Sequence, residues 1–132
     1  MYTIENLTSF YRFTKENSLV VYLGGYHNSS RRQLLKSIYE QLPAARYYHF
    51  GDIDVGGFQI YYHLRDKTGI PFSTYNMDLE TLKKYEKYAK ELTDNDSRRL
   101  IKIMERRFSE EEQEVARYML SQKIKLEQEC IR

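Results

Sequence analysis

Apolar positions along the chain change their period several times, and each change marks an element. Met1 to Glu5 is apolar and β-branched enough for a short strand; Leu7, Phe10 and Tyr11 then recur three and four apart, the spacing of one helix face. Asn6 or Thr8 offers a cap for that helix, and Asn17-Ser18 ends it. Leu19 to Leu23 is a continuous apolar run of strand length, closed by Gly24-Gly25. Asn28-Ser29-Ser30 can cap a helix carrying Leu34, Leu35, Ile38 and Leu42, and Pro43 stops it. Arg46 to Phe50 is a third strand; Phe58, Ile60, Tyr61 and Leu64 form the next helix, with Gly69 as its glycine C-cap; Pro71 to Tyr75 is a fourth strand. From Asp78 onward the pattern predicts helices only, over Leu79 to Leu92, Asp96 to Phe108 and Glu110 to about Ile131.

Strands that alternate with helices predict a parallel sheet, because parallel neighbours need a long connection and a helix supplies it. The expected class is therefore α/β, a Rossmann-like and mostly parallel four-stranded sheet flanked by helices. Residues 1–78 read as its core and residues 79–132 as a helical C-terminal region of the same single domain. The first strand pattern opens at residue 2, which predicts that this is a C-terminal piece of a longer protein.

Composition narrows the class of function only a little. With 21 basic and 19 acidic side chains the net charge is +2, so any affinity for nucleic acid must come from the placement of charge. The single Cys130 cannot form an internal disulfide, and no apolar run is long enough to span a bilayer; a reducing, cytoplasmic setting is expected. Thirteen tyrosines and no tryptophan suit a core of amphipathic rings better than a row of base-stacking platforms.

The candidate chemistry is acidic. In a parallel sheet, ligands bind beyond the carboxyl ends of the strands. Glu5 ends the first strand there, and Asp52 and Asp54 follow the third. Side chains of an extended segment alternate, so the one-residue gap aims both aspartates the same way. Three gathered carboxylates stay ionised only beside a cation, and an all-oxygen set selects a hard ion, Mg²⁺ first and then Mn²⁺ or Ca²⁺. Taken alone, an Asp-X-Asp is as readily a turn or capping pair. Gly56-Gly57 are either turn glycines or room for a phosphate at a helix start. Gly25 and Arg31-Arg32 lie toward the same edge, where the arginines could hold a DNA phosphate. His27 and His49 read as packing residues, with His49 able to support a ligand from behind. Arg98, Lys102 and Arg106 read as the solvated face of a helix whose apolar side is Leu100, Ile101, Met104 and Phe108; Glu127 and Glu129 read as a solvated helix end.

Glu5-Asn6 after a first strand, Gly24-Gly25 after a second and Phe50-Gly51-Asp52-Ile53-Asp54 after a third resemble a Toprim domain, the catalytic module of topoisomerases, bacterial primases and several nucleases. The run from Tyr48 to Leu64, Gly69-Ile70-Pro71 and the Leu126-Glu127-Gln128-Glu129 end resemble the C-terminal Toprim domain of the nuclease subunit of Wadjet anti-plasmid systems, relatives of the topoisomerase VI A subunit. The resemblance implies Mg²⁺ or Mn²⁺ held by Glu5, Asp52 and Asp54, and DNA phosphodiester cleavage in which Glu5 doubles as general acid or base. It also implies condensin-like partner subunits and a homodimer formed through domains outside this chain. The tyrosine nucleophile of the topoisomerase relatives belongs to a separate winged-helix domain, so hydrolysis is the expected reaction. A haloacid dehalogenase-type phosphatase would place its Asp-X-Asp on the first strand with Ser or Thr where Gly56 stands, and a receiver domain would need a lysine on the last strand, which Pro71 to Tyr75 lacks. A Toprim-like module that only docks partners is the alternative from another class.

Overall fold

A computed structural model describes residues 1–132. Four short strands form one parallel sheet: β1 (Tyr2–Ile4), β2 (Val20–Tyr22), β3 (Tyr48–Phe50) and β4 (Ser73–Thr74), in the order β2-β1-β3-β4. The register pairs Ile4 with Tyr22 on one side and with Phe50 on the other. The connections β1 to β2 and β2 to β3 therefore run to opposite sides of β1. That reversal opens a crevice between the carboxyl ends of β1 and β3.

Alternation along the strands divides the core in two. Ile4, Phe50 and Val20 pack on one face with Phe10 of α1 (Leu7–Arg12) and with the C-terminal helices. Val21 packs on the other face with Leu35 of α2 (Ser29–Gln41) and Tyr61 and Leu64 of α3 (Val55–Thr68). Asn6 and Asn28 cap α1 and α2 with their side-chain oxygens, and Gly69 closes α3 at φ +70°, a left-handed conformation that costs glycine no Cβ clash. Four of the thirteen tyrosines, Tyr2, Tyr47, Tyr61 and Tyr62, are buried, and Tyr11, Tyr26 and Tyr88 are exposed. No helix is long and apolar enough to cross a membrane.

Several boundaries differ from expectation. Helix α3 begins at Val55, not near Phe58, because Asp54 caps it by accepting from the Gly57 N–H at 2.6 Å. The C-terminal region is not helical throughout. It comprises α4 (Leu79–Lys84), α5 (Asp94–Arg107) and α6 (Glu110–Gln122), with a two-stranded antiparallel pair of β5 (Lys90–Glu91) and β6 (Ile124–Lys125). Helix α6 stops at Lys123, which takes φ +54°, and the chain beyond it turns back along the sheet edge. There Leu126 and Ile53 exchange both backbone hydrogen bonds, at 2.9 and 3.0 Å, and both side chains are fully buried. On α5 the capping box of Thr93 and Asp96 starts the helix two residues earlier than read, and Ile101 points outward at 45% exposure, leaving Ile103 and Met104 to pack.

Candidate metal centre

Glu5 leaves β1 and Asp52 leaves β3 at the crevice between the two strands. The last rung of the β1–β3 ladder is the Glu5 N–H to the Phe50 carbonyl, 3.1 Å. Ile53, between the two aspartates, pairs with Leu126 in an antiparallel bridge, so the tail holds this segment from the other side.

The Glu5 side chain is 13% exposed, and its Oε2 is buried with no hydrogen-bond partner. Burial, and then repulsion from Asp52 and Asp54, push its carboxyl up to about 8. A Cβ at Gly51 would stand 2.5 Å from that oxygen, so glycine makes the space that the carboxylate occupies. Burial also raises Asp52, to about 6, against a 2.6 Å hydrogen bond from the Gln128 backbone N–H to its Oδ1. Asp54 is raised by burial as well, against the cap bond from Gly57. All three carboxylates are desolvated; Glu5 is repelled by both aspartates, whereas Asp54 also has the cations Lys125 and Arg99 near it.

Behind them lies a second layer. Thr3 Oγ1 is hydrogen-bonded to His49 Nδ1 at 3.0 Å and lies 3.4 Å from the Tyr48 carbonyl. His49 Nε2 is buried, without a hydrogen-bond partner, and 3.9 Å from Glu5 Oε2. Burial lowers His49 to about 3, so the ring is neutral at pH 7. His27 is also buried, with its Nε2 3.2 Å from His63 Nδ1. The sequence held no sign of this pairing, since the two rings lie on separate elements.

The remaining candidates separate into different roles. A Cβ at Gly57 would collide with the Asp52 carbonyl, and its N–H belongs to the Asp54 cap, so close packing explains this glycine. Gly56 has no such neighbour in its way apart from Asp54 Oδ1 at 3.4 Å. Gly25 sits in the left-handed region at φ +89°, in the loop after β2. Arg32 braces the following turn by donating to the His27 carbonyl and to Ser29 Oγ, each at 3.2 Å, while Arg31 lies over the Tyr22 ring at 5.9 Å. Neither arginine has an acidic partner. Arg98, Lys102 and Arg106 are exposed, as a solvated face should be. Glu127 pairs with Lys90 at 2.7 Å on the surface.

As the side chains stand, no group of three His, Cys, Asp or Glu residues is arranged to hold a metal ion. Each aspartate has turned one oxygen into a backbone N–H, whereas its other oxygen and Glu5 Oε2 make no hydrogen bond. The donor set is all carboxylate, and the unpartnered Glu5 oxygen is the feature that a hard cation would satisfy.

Fold and cluster together define a class, a parallel α/β domain with carboxylates gathered where the strand order reverses. The chain belongs to the family described as the C-terminal region of Wadjet protein JetD, which matches residues 1–132. It is also similar to a Wadjet protein JetD of Bacillus cereus (strain Q1), with 33% identity over 132 residues, covering 97% of this chain and 32% of that protein. The chain thus spans about a third of the length of the curated relative it matches.

Proposed function

We propose that this chain is the metal-binding part of a Toprim-type nuclease, hydrolysing DNA phosphodiesters in a Wadjet-type anti-plasmid system. One observation carries the reading: the buried Glu5 Oε2, without any partner, beside two further carboxylates at the β1–β3 crevice. Leaving such a group unpaired costs free energy, and an unpaired carboxylate oxygen with two further acids beside it favours a positive ligand. Family membership supports the defence role.

In this reading Glu5, Asp52 and Asp54 hold Mg²⁺ or Mn²⁺. Bound there, the cation polarises a phosphate oxygen and stabilises the charge that develops on attack. The chain's own contribution is to desolvate the carboxylates, to hold Glu5 over the Cβ-free Gly51, and to keep neutral His49 behind it. In this reading Glu5 is also the group cast as general acid or base toward the attacking water. Arg31, which has no acidic partner, is available to a DNA phosphate. Condensin-like subunits and a second copy of the parent protein would bring the DNA to this edge.

The test is plasmid cleavage by the full-length protein with Mn²⁺. Asp52→Ala should abolish it, and cleavage equal to wild type would end the nuclease reading. The second reading, a Toprim-like docking module, is favoured by the cap bond of Asp54 and the Gln128 bond of Asp52, which give both aspartates structural work. It expects no divalent-ion binding that depends on Glu5.

A further inference from the structure

The β1–β3 ladder ends at Ile4 and Phe50, and twisted strands diverge past their last rung. The Glu5 N–H still bonds to the Phe50 carbonyl at 3.1 Å, but no backbone bond of the ladder reaches Asp52, so something other than the ladder must fix where Asp52 stands relative to Glu5. Gln128, from the short 3-10 turn Gln128–Cys130, stands in that place.

Gln128 is polar and fully buried, and both of its side-chain hydrogen bonds and that of its backbone N–H fall on the two acidic segments. Its Oε1 accepts from the Asn6 N–H at 2.9 Å, one residue past Glu5. Its Nε2 donates to the Phe50 carbonyl at 2.9 Å, the same oxygen that receives the Glu5 N–H. Its backbone N–H donates to Asp52 Oδ1 at 2.6 Å, a short bond to a charged acceptor. One residue thus spans the end of β1, the end of β3 and the first aspartate. The side chain must present a donor and an acceptor at a fixed separation; Glu lacks the donor, Asn the length, and Met both polar groups.

We infer that Gln128 is a positioning residue that sets the distance between Glu5 and Asp52 and the orientation of the Asp52 carboxylate, and thereby tunes divalent-cation affinity. This rests on the metal reading of the site. Partners that orient ligands from behind change metal affinity by about 10- to 100-fold when removed. Gln128→Met keeps the volume and the backbone N–H while deleting both side-chain bonds. Ile70→Val, in the core on the opposite face of the sheet, serves as a variant that loosens the fold without touching the edge.

The experiment is calorimetric titration of Mn²⁺ into the wild-type chain and both variants, with melting curves of each. The expected result is Mn²⁺ binding to wild type, binding at least about tenfold weaker in Gln128→Met, and unchanged affinity in Ile70→Val. Wild-type affinity in Gln128→Met, or equal losses in both variants, overturns the inference and leaves the metal reading standing. Absence of binding to wild type ends both. Should Gln128→Met fail to fold, NMR titration of wild type with Mg²⁺ decides: the amide signals of Asn6 and Gln128 should move with the same Kd as that of Asp52, and stationary signals overturn the inference.

Discussion

Two carboxylates of this chain are equally hidden and behave oppositely. Glu5 and Asp96 side chains are each 13% exposed, yet Glu5 is pushed up to about 8 and Asp96 is held at about 2. Asp96 accepts from Lys125 Nζ at 2.8 Å and from the Thr93 N–H at 3.0 Å, so its negative charge is matched by donors that join α5 to β6. Glu5 meets two other acids and a neutral ring, with only the Asp52 backbone N–H to oppose them, and its Oε2 has no hydrogen-bond partner. Burial raises the carboxyl at both places; at Asp96 the hydrogen bond from Lys125 outweighs it, and at Glu5 the neighbouring acids add to it. A carboxylate already matched is part of the fold, while one left unmatched is free to recognise something.

The largest expected effect separates the two on ligand binding. Glu5→Gln should weaken Mn²⁺ binding by on the order of 100-fold, read by calorimetry, while Asp96→Asn leaves it at the wild-type value. Equal losses would erase the distinction. Next comes stability, in the reverse order: Asp96→Asn should cost about 1–3 kcal/mol in urea unfolding, because Lys125 loses its charged partner and both bonds lose a charged acceptor. Glu5→Gln should cost little at pH 7.

The pH dependence sharpens the contrast. Glu5 keeps its proton to about pH 8 when folded but only to about 4.5 when unfolded, so it contributes stability below 4.5 that is lost as pH rises through 8. In metal-free protein the Tm of Glu5→Gln should therefore rise relative to wild type between pH 7 and 9, and added Mg²⁺ should remove that difference by raising the wild type. Asp96 acts the other way, contributing above its ordinary 3.8 and failing only as pH falls through about 2. The smallest effect belongs to the exposed Glu127–Lys90 pair. Glu127→Gln should leave both melting temperature and Mn²⁺ affinity indistinguishable from wild type, as solvated pairs usually do.

Much of this was legible in the linear chain because the signals are local. The apolar run Leu19 to Leu23, Asn6 and Asn28 before helical spacing, and Gly69 after it are decisions made within a few residues. The acidic site was legible for the same reason, since strand ends and the Asp-X-Asp spacing place Glu5, Asp52 and Asp54 on one edge once the sheet is parallel. The tail was not. Glu110 to Ile131 has continuous helical spacing, and nothing nearby marks Lys123 as the residue that turns left-handed. Its reason lies 73 residues away (126 − 53), in the Ile53 backbone that Leu126 pairs with.

By itself the sequence determined the parallel α/β order, the caps that begin its helices, and which acids reach the carboxyl edge, all of which follow from periodicity and short-range sterics. Only the tertiary structure decided how those acids are held. Asp54 doubles as a helix cap, Gly51 makes room for the Glu5 carboxylate, and Gln128 closes the gap between strands that part company. Hydrogen bonds spanning 76 to 122 residues leave no trace in local spacing, because their geometry exists only after the chain has folded over itself.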